Sequence, residues 1–315
     1  MRAHSRGKSL EPSQFDLTVV IADSVDADSR AQALESLEAT CAGLSTEFIV
    51  VQAGRVEREA RRPADAGRIA SVQRPPGTLT PVLWGAGAAL ARAPRVAFTT
   101  TQMRVAAGWA RALASGVTSP DAGDTVGAAG PIALGRGADG ATAATYFVRF
   151  SAFLPESVAI GGGRRTDIPG DNAAYDRAAV ARHGDLLREG FWEVEFHRRF
   201  AREGLKLTIV PGAAATMVGP TDFGAVVVQR FAHATAFGRS RVGRHGESIV
   251  RIVLGAPVVP VVLLLRIVRR VLPHARYRSQ LVRALPWLIV LAAAWALGEA
   301  VGALWRGPGS SVAAP

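Results

Sequence analysis

The sequence predicts an α/β protein, a mostly parallel sheet with flanking helices, followed by C-terminal helices that are transmembrane or re-entrant. Three observations predict this class. Apolar, β-rich runs alternate with helical patterns through the first part of the 315-residue chain, the signature of βαβ units whose sheet is buried on both faces. The last third holds a 20-residue run, Leu285–Leu304, with Glu299 as its only charge; at about 1.5 Å per residue it matches a bilayer core of roughly 30 Å. The charge is also divided along the chain. Of the net +11, residues 225–315 carry 12 arginines against only Glu247 and Glu299, whereas residues 1–224 are almost balanced.

The elements follow in order. Leu17–Ala22 is a first strand, Arg30–Ala42 a helix and Glu47–Val51 a second strand, which makes a βαβ opening. Arg68–Val72 is a third strand, Pro81–Ala91 a helix of small residues, and Arg95–Thr100 a fourth strand leading to a helix around Gly108–Ala114. The Gly-, Ala- and Asp-rich stretch 116–141 reads as a surface loop around a short strand, Val126–Ala129, and Gly161–Arg165 as a connector. Parallel sheets bind ligands beyond the carboxyl ends of their strands, here Ala22-Asp23, Gln52-Ala53 and Thr100-Thr101-Gln102.

In the basic third, Ile252–Leu265 is a second apolar run of 14 residues that carries Pro257 and Pro260. It is short for a regular span and reads as re-entrant or interfacial; with Arg251 and Arg266 snorkelling, Ile249–Val268 is long enough to cross. Both readings stay open. Arg269, Arg270, Arg276, Arg278 and Arg283 lie between the runs, where arginines face the cytoplasm and its anionic lipid. A membrane therefore accounts for the charge better than nucleic acid, for which no basic patch interleaved with aromatics is present. Met1–Gln14 has no apolar core and reads as neither signal peptide nor anchor, so the polar part is expected on the cytoplasmic side of a cell membrane. The expected organisation is a flexible tail over 1–15, one large domain over 16–247, membrane-associated helices over 248–306 and a second tail over 307–315.

Several chemistries are excluded. One cysteine, Cys41, builds neither a disulfide framework nor a thiolate metal site. No Walker loop, His-Glu-x-x-His or Gly-x-Ser-x-Gly occurs, and Gly85-Ala86-Gly87 lacks the third small residue and the preceding strand of a dinucleotide fingerprint.

The order of segments over about residues 16–245 resembles a family 2 glycosyltransferase, an inverting, nucleotide-sugar-dependent enzyme with the GT-A fold. Thr18–Asp23 resembles the family's first strand and nucleotide-contacting turn. Glu47–Gly54 resembles the second strand, with Gln52 where an acid usually contacts the base. Val96–Gln102 followed by Gly108-Trp109 resembles the strand that normally ends in Asp-x-Asp, with Thr100 and Gln102 at the acidic positions. Ile168–Arg177 resembles the Gly-x-Asn-x-Ala-x-x-Arg segment, and Gly190–Arg199 with Gly204 resembles the Glu-Asp-x-Asp-Leu-x-x-Arg block. Gln229-Arg230-Phe231 is a weak echo of Gln-x-x-Arg-Trp.

The resemblance implies a donor site at Ala22, Asp23, Gln52, Thr100, Thr101 and Gln102, acceptor contacts from Asp171, Asn172 and Trp192, and Glu193 as the general base. An acceptor hydroxyl has a very high pKa, so a carboxylate within about 3 Å must take its proton as it attacks the anomeric carbon. Glu195, by contrast, reads as part of a solvated helix start paired with Arg198 or Arg199. The leaving nucleoside diphosphate needs positive charge, usually Mg²⁺ or Mn²⁺ on carboxylates. Three arrangements are open here: a metal held weakly with help from Asp23; Arg230, His233 or Arg239 in its place; or a site without turnover. The expected partners are a nucleotide-sugar, a lipid-linked or envelope-glycan acceptor and the membrane, with no nucleic acid.

Overall fold

The computed structural model describes residues 14–23, 27–41, 43–54, 69–118, 123–160, 163–219 and 221–305. Residues 1–13 and 307–315, expected as tails, lie outside the described residues, as does Arg68 at the start of the expected third strand. In chain order the elements begin β1 (Leu17–Asp23), α1 (Ala27–Thr40), β2 (Thr46–Ala53), β3 (Ile69–Arg74), α2 (Thr80–Ala88), β4 (Arg95–Thr100), β5 (Met103–Val105), α3 (Trp109–Gly116) and β6 (Thr125–Ala129). Then come β7 (Ile132–Leu134), α4 (Gly140–Phe150), α5 (Pro155–Ile160), β8 (Gly163–Arg165), β9 (Ala173–Asp176), α6 (Arg177–Arg182), α7 (Gly184–Leu187), α8 (Glu193–Arg202), β10 (Lys206–Ile209) and β11 (Ala215–Met217). The chain continues through α9 (Phe223–Gly243), α10 (Ile249–Gly255), α11 (Val259–Val271) and α12 (Arg278–Leu304).

The chain divides into two compact units: residues 1–131 with 161–215, and residues 132–160 with 216–315. This differs from the expected boundary at 247, because α4 and α9 group with the C-terminal helices.

The first unit is built on an eight-stranded sheet of order β3-β2-β1-β4-β9-β6-β10-β8. β1 pairs in parallel with β2 and β4, and β2 with β3, as the apolar runs predict. β9 enters between β4 and β6 antiparallel to both, so the sheet is mixed. Period-two alternation divides its faces. Leu17, Val19, Ile21, Ala97 and Ala174 form one core with Leu37 of α1 and with Trp109 and Leu113 of α3. On the other face Phe98 stacks on Phe191 with ring centroids 4.3 Å apart, within an aromatic group that includes Trp84, Tyr175 and Phe196. Val20 lies on this face too: a Cβ on Gly87 of α2 would stand 2.3 Å from its Cγ1, so that helix lies on the sheet only because the position is glycine.

In the second unit α9 and α12 lie side by side. Their contacts advance in step, from Phe223 on Trp287 to Phe231 at Gly298 and Thr235 at Gly302, so the helices run in the same direction. A Cβ on Gly298 would stand 2.3 Å from the Phe231 carbonyl oxygen and one on Gly302 2.1 Å from that of Thr235; small residues let the two backbones approach. Glu299, the one charge in the apolar run, is buried and ion-paired with Arg241 of α9, which also grips Glu247. The helical segment Ala275–Leu304 is long and apolar enough to cross a membrane, with half of its most apolar window buried inside the protein. α10 and α11 are bent by 66° around Pro257. With the expected readings left open, they form either a broken span or a re-entrant pair.

Candidate active site

The carboxyl ends of the central strands bring most of the expected donor residues together. Register places Asp23 beside Gln52 and Ala22 beside Thr100, and the Thr101 amide donates to the Ala22 carbonyl at 3.4 Å. Asp23 is buried and ion-paired with Arg30 of α1, and it accepts from the Thr101 hydroxyl at 3.4 Å. The Gln52 amide, turned so that its oxygen faces donors, lies 2.8 Å from Nη1 of Arg30, and its other end meets Gln73. The hydroxyls of Thr99 and Thr100 are enclosed with no hydrogen-bond partner among the described residues. Gln102 is half-buried in the turn to β5.

Arg104 of β5 enters the same place. Its Nη1 donates to the carbonyls of Thr101 at 2.9 Å and Met103 at 3.2 Å, and its Nη2 to Oε1 of Gln32 at 3.3 Å. Burial lowers its pKa from the usual guanidinium value. Sequence reasoning missed both Arg30 and Arg104. The available signal for Arg104 is its position, two residues beyond Gln102.

A second group of expected residues meets at the turn Gly170–Asn172. A Cβ on Gly170 would stand 3.4 Å from Cδ of Glu193 and 3.0 Å from the Trp84 ring, so the carboxyl of Glu193 lies against this turn, next to Asp171. Trp84 links the turn to β4, since its indole N–H donates to the Thr99 carbonyl at 2.9 Å. Two contacts set Glu193 there. The Phe191 amide donates to the Pro81 carbonyl at 2.7 Å, and Gly190, at φ 124°, lies so close to α2 that a Cβ would meet the Pro81 oxygen at 2.9 Å. α8 then starts at Glu193, where a carboxylate suits the positive end of the helix. Glu195 pairs with Arg198 at 3.2 Å, as expected, but its side chain is largely enclosed rather than solvated.

Beside this turn the Tyr175 hydroxyl lies 2.9 Å from Nε2 of His197, whose Nδ1 meets Asp167. Burial, and after it the carboxylates of Glu193, Asp167 and Asp171, hold the pKa of Tyr175 well above its ordinary value, so it stays a neutral phenol. Trp192 is half-buried, with its N–H on the Glu189 carbonyl at 3.1 Å.

One expected role changes. Asn172 is fully buried, accepts from the Trp109 indole at 2.6 Å and donates to the carbonyls of Pro131 and Ala213 at 3.2 and 2.9 Å. Its amide is spent on the scaffold rather than on an acceptor. Arg230, His233 and Arg239 lie in the second unit on α9, where Arg230 stacks over Trp295 at 4.0 Å, His233 sits 5.9 Å from the same ring, and Arg239 stacks over Trp305 at 4.5 Å.

The donor set does not fit a divalent metal. Asp23 is already matched by a guanidinium, and Thr100 and Gln102 offer only neutral oxygens, one of them enclosed. Among the described residues no three His, Cys, Asp or Glu side chains gather to hold an ion.

No family profile and no curated protein matches this chain. Among solved structures it is similar to a mannosyltransferase, PcManGT from Pyrobaculum calidifontis, in complex with GDP-mannose and Mn²⁺. The identity is 12% over 92% of this chain and 90% of that one, with a TM-score of 0.49. A mycobacterial protein is similar at 16% identity over 70% of this chain and 73% of that one, with a TM-score of 0.44. At these identities and scores neither likeness assigns an activity to this chain.

Proposed function

We propose that this chain is a membrane-anchored, inverting glycosyltransferase that moves a sugar from a nucleotide-sugar to a lipid-linked or cell-envelope glycan acceptor on the cytoplasmic face of a cell membrane. The observation that carries the reading is the meeting of Glu193 with the Gly170–Asn172 turn, joined through Trp84 to the strand end at Thr99. Two separate parts of the family resemblance thus come together at one place. In this reading the acceptor oxygen attacks the anomeric carbon, its proton passes to Glu193, and the bond to the nucleoside diphosphate breaks with its electron pair on the departing phosphate oxygen. Asp171 and the face of Trp192 hold the acceptor sugar. Ala22, Asp23, Gln52, Thr100, Thr101 and Gln102 form the floor of the donor site.

Membrane attachment is supported by the apolar side chains exposed on α12, among them Ile289, Leu297 and Val301, and by those of α11, where Val261, Val262 and Leu265 precede the exposed Arg266, Arg269 and Arg270. A lipid-carried acceptor gains effective concentration for an enzyme held at the surface.

Glu193→Gln is expected to reduce transfer about a hundredfold or more while leaving donor affinity unchanged, read by product formation and by calorimetry. A fully active variant contradicts the assignment of the base. A second reading, a non-catalytic nucleotide-sugar-binding or assembly subunit, is favoured by the engagement of Asp23 with Arg30 and by the neutral Thr100 and Gln102. Donor binding by the wild-type chain with no turnover in any metal condition selects it.

A further inference from the structure

Resting on the donor-site reading, we infer that this chain binds the diphosphate of its nucleotide without a metal ion, with Arg104 supplying the positive charge. The charges near the strand ends point this way. Asp23 and Arg30 cancel as an ion pair, and Thr100 and Gln102 are neutral. Among the described residues Arg104 then leaves the place with a net positive charge, where a pair of acids would leave it negative. A dication is drawn to the second arrangement and a diphosphate to the first.

The geometry of Arg104 fits this task. Thr101 touches both charged groups, with its hydroxyl on Asp23 at 3.4 Å and its carbonyl on Nη1 of Arg104 at 2.9 Å. Gln32, two residues beyond Arg30 on α1, holds Nη2 at 3.3 Å. The guanidinium is therefore anchored from two elements by neutral oxygens alone, and no carboxylate bonds it among the described residues. A guanidinium offers five N–H donors, so Nε and part of Nη2 remain for a ligand. A part-buried cation with no counter-charge is costly, and a phosphoryl group taken in a forked, bidentate contact repays that cost. The same contact neutralises the charge that develops on the phosphate oxygen when the bond to the sugar breaks, the work a metal does elsewhere.

The test is calorimetry of the full-length, detergent-solubilised chain with GDP, with UDP and with dTDP, each in excess EDTA and in Mn²⁺. We expect one nucleotide to bind with the same affinity in both conditions. Arg104→Gln should weaken it about tenfold or more, and Arg104→Lys, which keeps the charge and loses the fork, should fall between. Unchanged thermal unfolding of the lysine variant guards against loss of fold. Binding that appears only with Mn²⁺ overturns the inference and leaves the donor reading standing, as does wild-type affinity in Arg104→Gln. Failure of all three nucleotides in both conditions overturns the donor reading itself.

Discussion

Single residues do unequal work around this turn. Asn172, expected to meet an acceptor, holds the carbonyls of Pro131 and Ala213 and the indole of Trp109. Asn172→Ala leaves the Trp109 indole and the Ala213 carbonyl unmet, while the Pro131 carbonyl keeps the Ala215 amide at 3.0 Å, and each unmet buried group costs about 1–3 kcal/mol. The variant should lose on the order of 3 kcal/mol, seen as a lower thermal midpoint, and an unchanged midpoint contradicts this role. His183 offers a pH test. Burial lowers its pKa from the usual 6.5, outweighing the nearby Glu203, while Arg199, Asp185 and Arg182 act as smaller influences of both signs. The folded state therefore binds this proton more weakly than the unfolded chain. As pH falls below about 6.5, unfolding takes up the proton and stability drops; above that value the residue contributes no slope. His183→Gln should flatten the acid side of the stability profile relative to wild type, and parallel profiles contradict the assignment.

At the scale of elements, what the sequence makes legible is set by how far each element's fate depends on local composition. β1, β2 and β4 are long β-branched runs whose neighbours in the sheet follow from the βαβ pattern. The strand ends, and with them the residues proposed to meet a donor, could be located in advance. β9 could not, because Ala173-Ala174-Tyr175-Asp176 has little β propensity and becomes a strand only through its antiparallel partners β4 and β6. Arg104 was hidden for a related reason, since a lone arginine after a turn gains meaning only when Thr101 and Gln32 converge on it. The membership of α9 was hidden too. Its mixture of arginine, histidine, glycine and aromatic residues shows no dominant face, and its place follows from Gly238, Gly298 and Gly302, where the backbones of α9 and α12 nearly touch. Gly298→Val should force these helices apart at a cost of about 1–3 kcal/mol or more, seen as earlier thermal unfolding of the solubilised chain. A variant as stable as wild type contradicts the packing.

At the scale of the whole molecule, the division of charge along the sequence corresponds to a division of labour. The nearly balanced part supplies the sheet and the candidate site at its strand ends, and the arginine-rich part supplies α10, α11 and α12, with Glu299 ion-paired with Arg241 inside its unit. Central to the proposed function is that Glu193, at the Gly170–Asn172 turn, takes a proton from an acceptor during sugar transfer. The measurement that tests it most directly is transfer of label from GDP-, UDP- and dTDP-sugars into the lipid and glycan fractions of a membrane extract by the full-length chain, with wild type and Glu193→Gln side by side. Transfer from one donor is expected of the wild type, and at least about a hundredfold less of the variant, which still binds that donor. Equal transfer by the two proteins would contradict it.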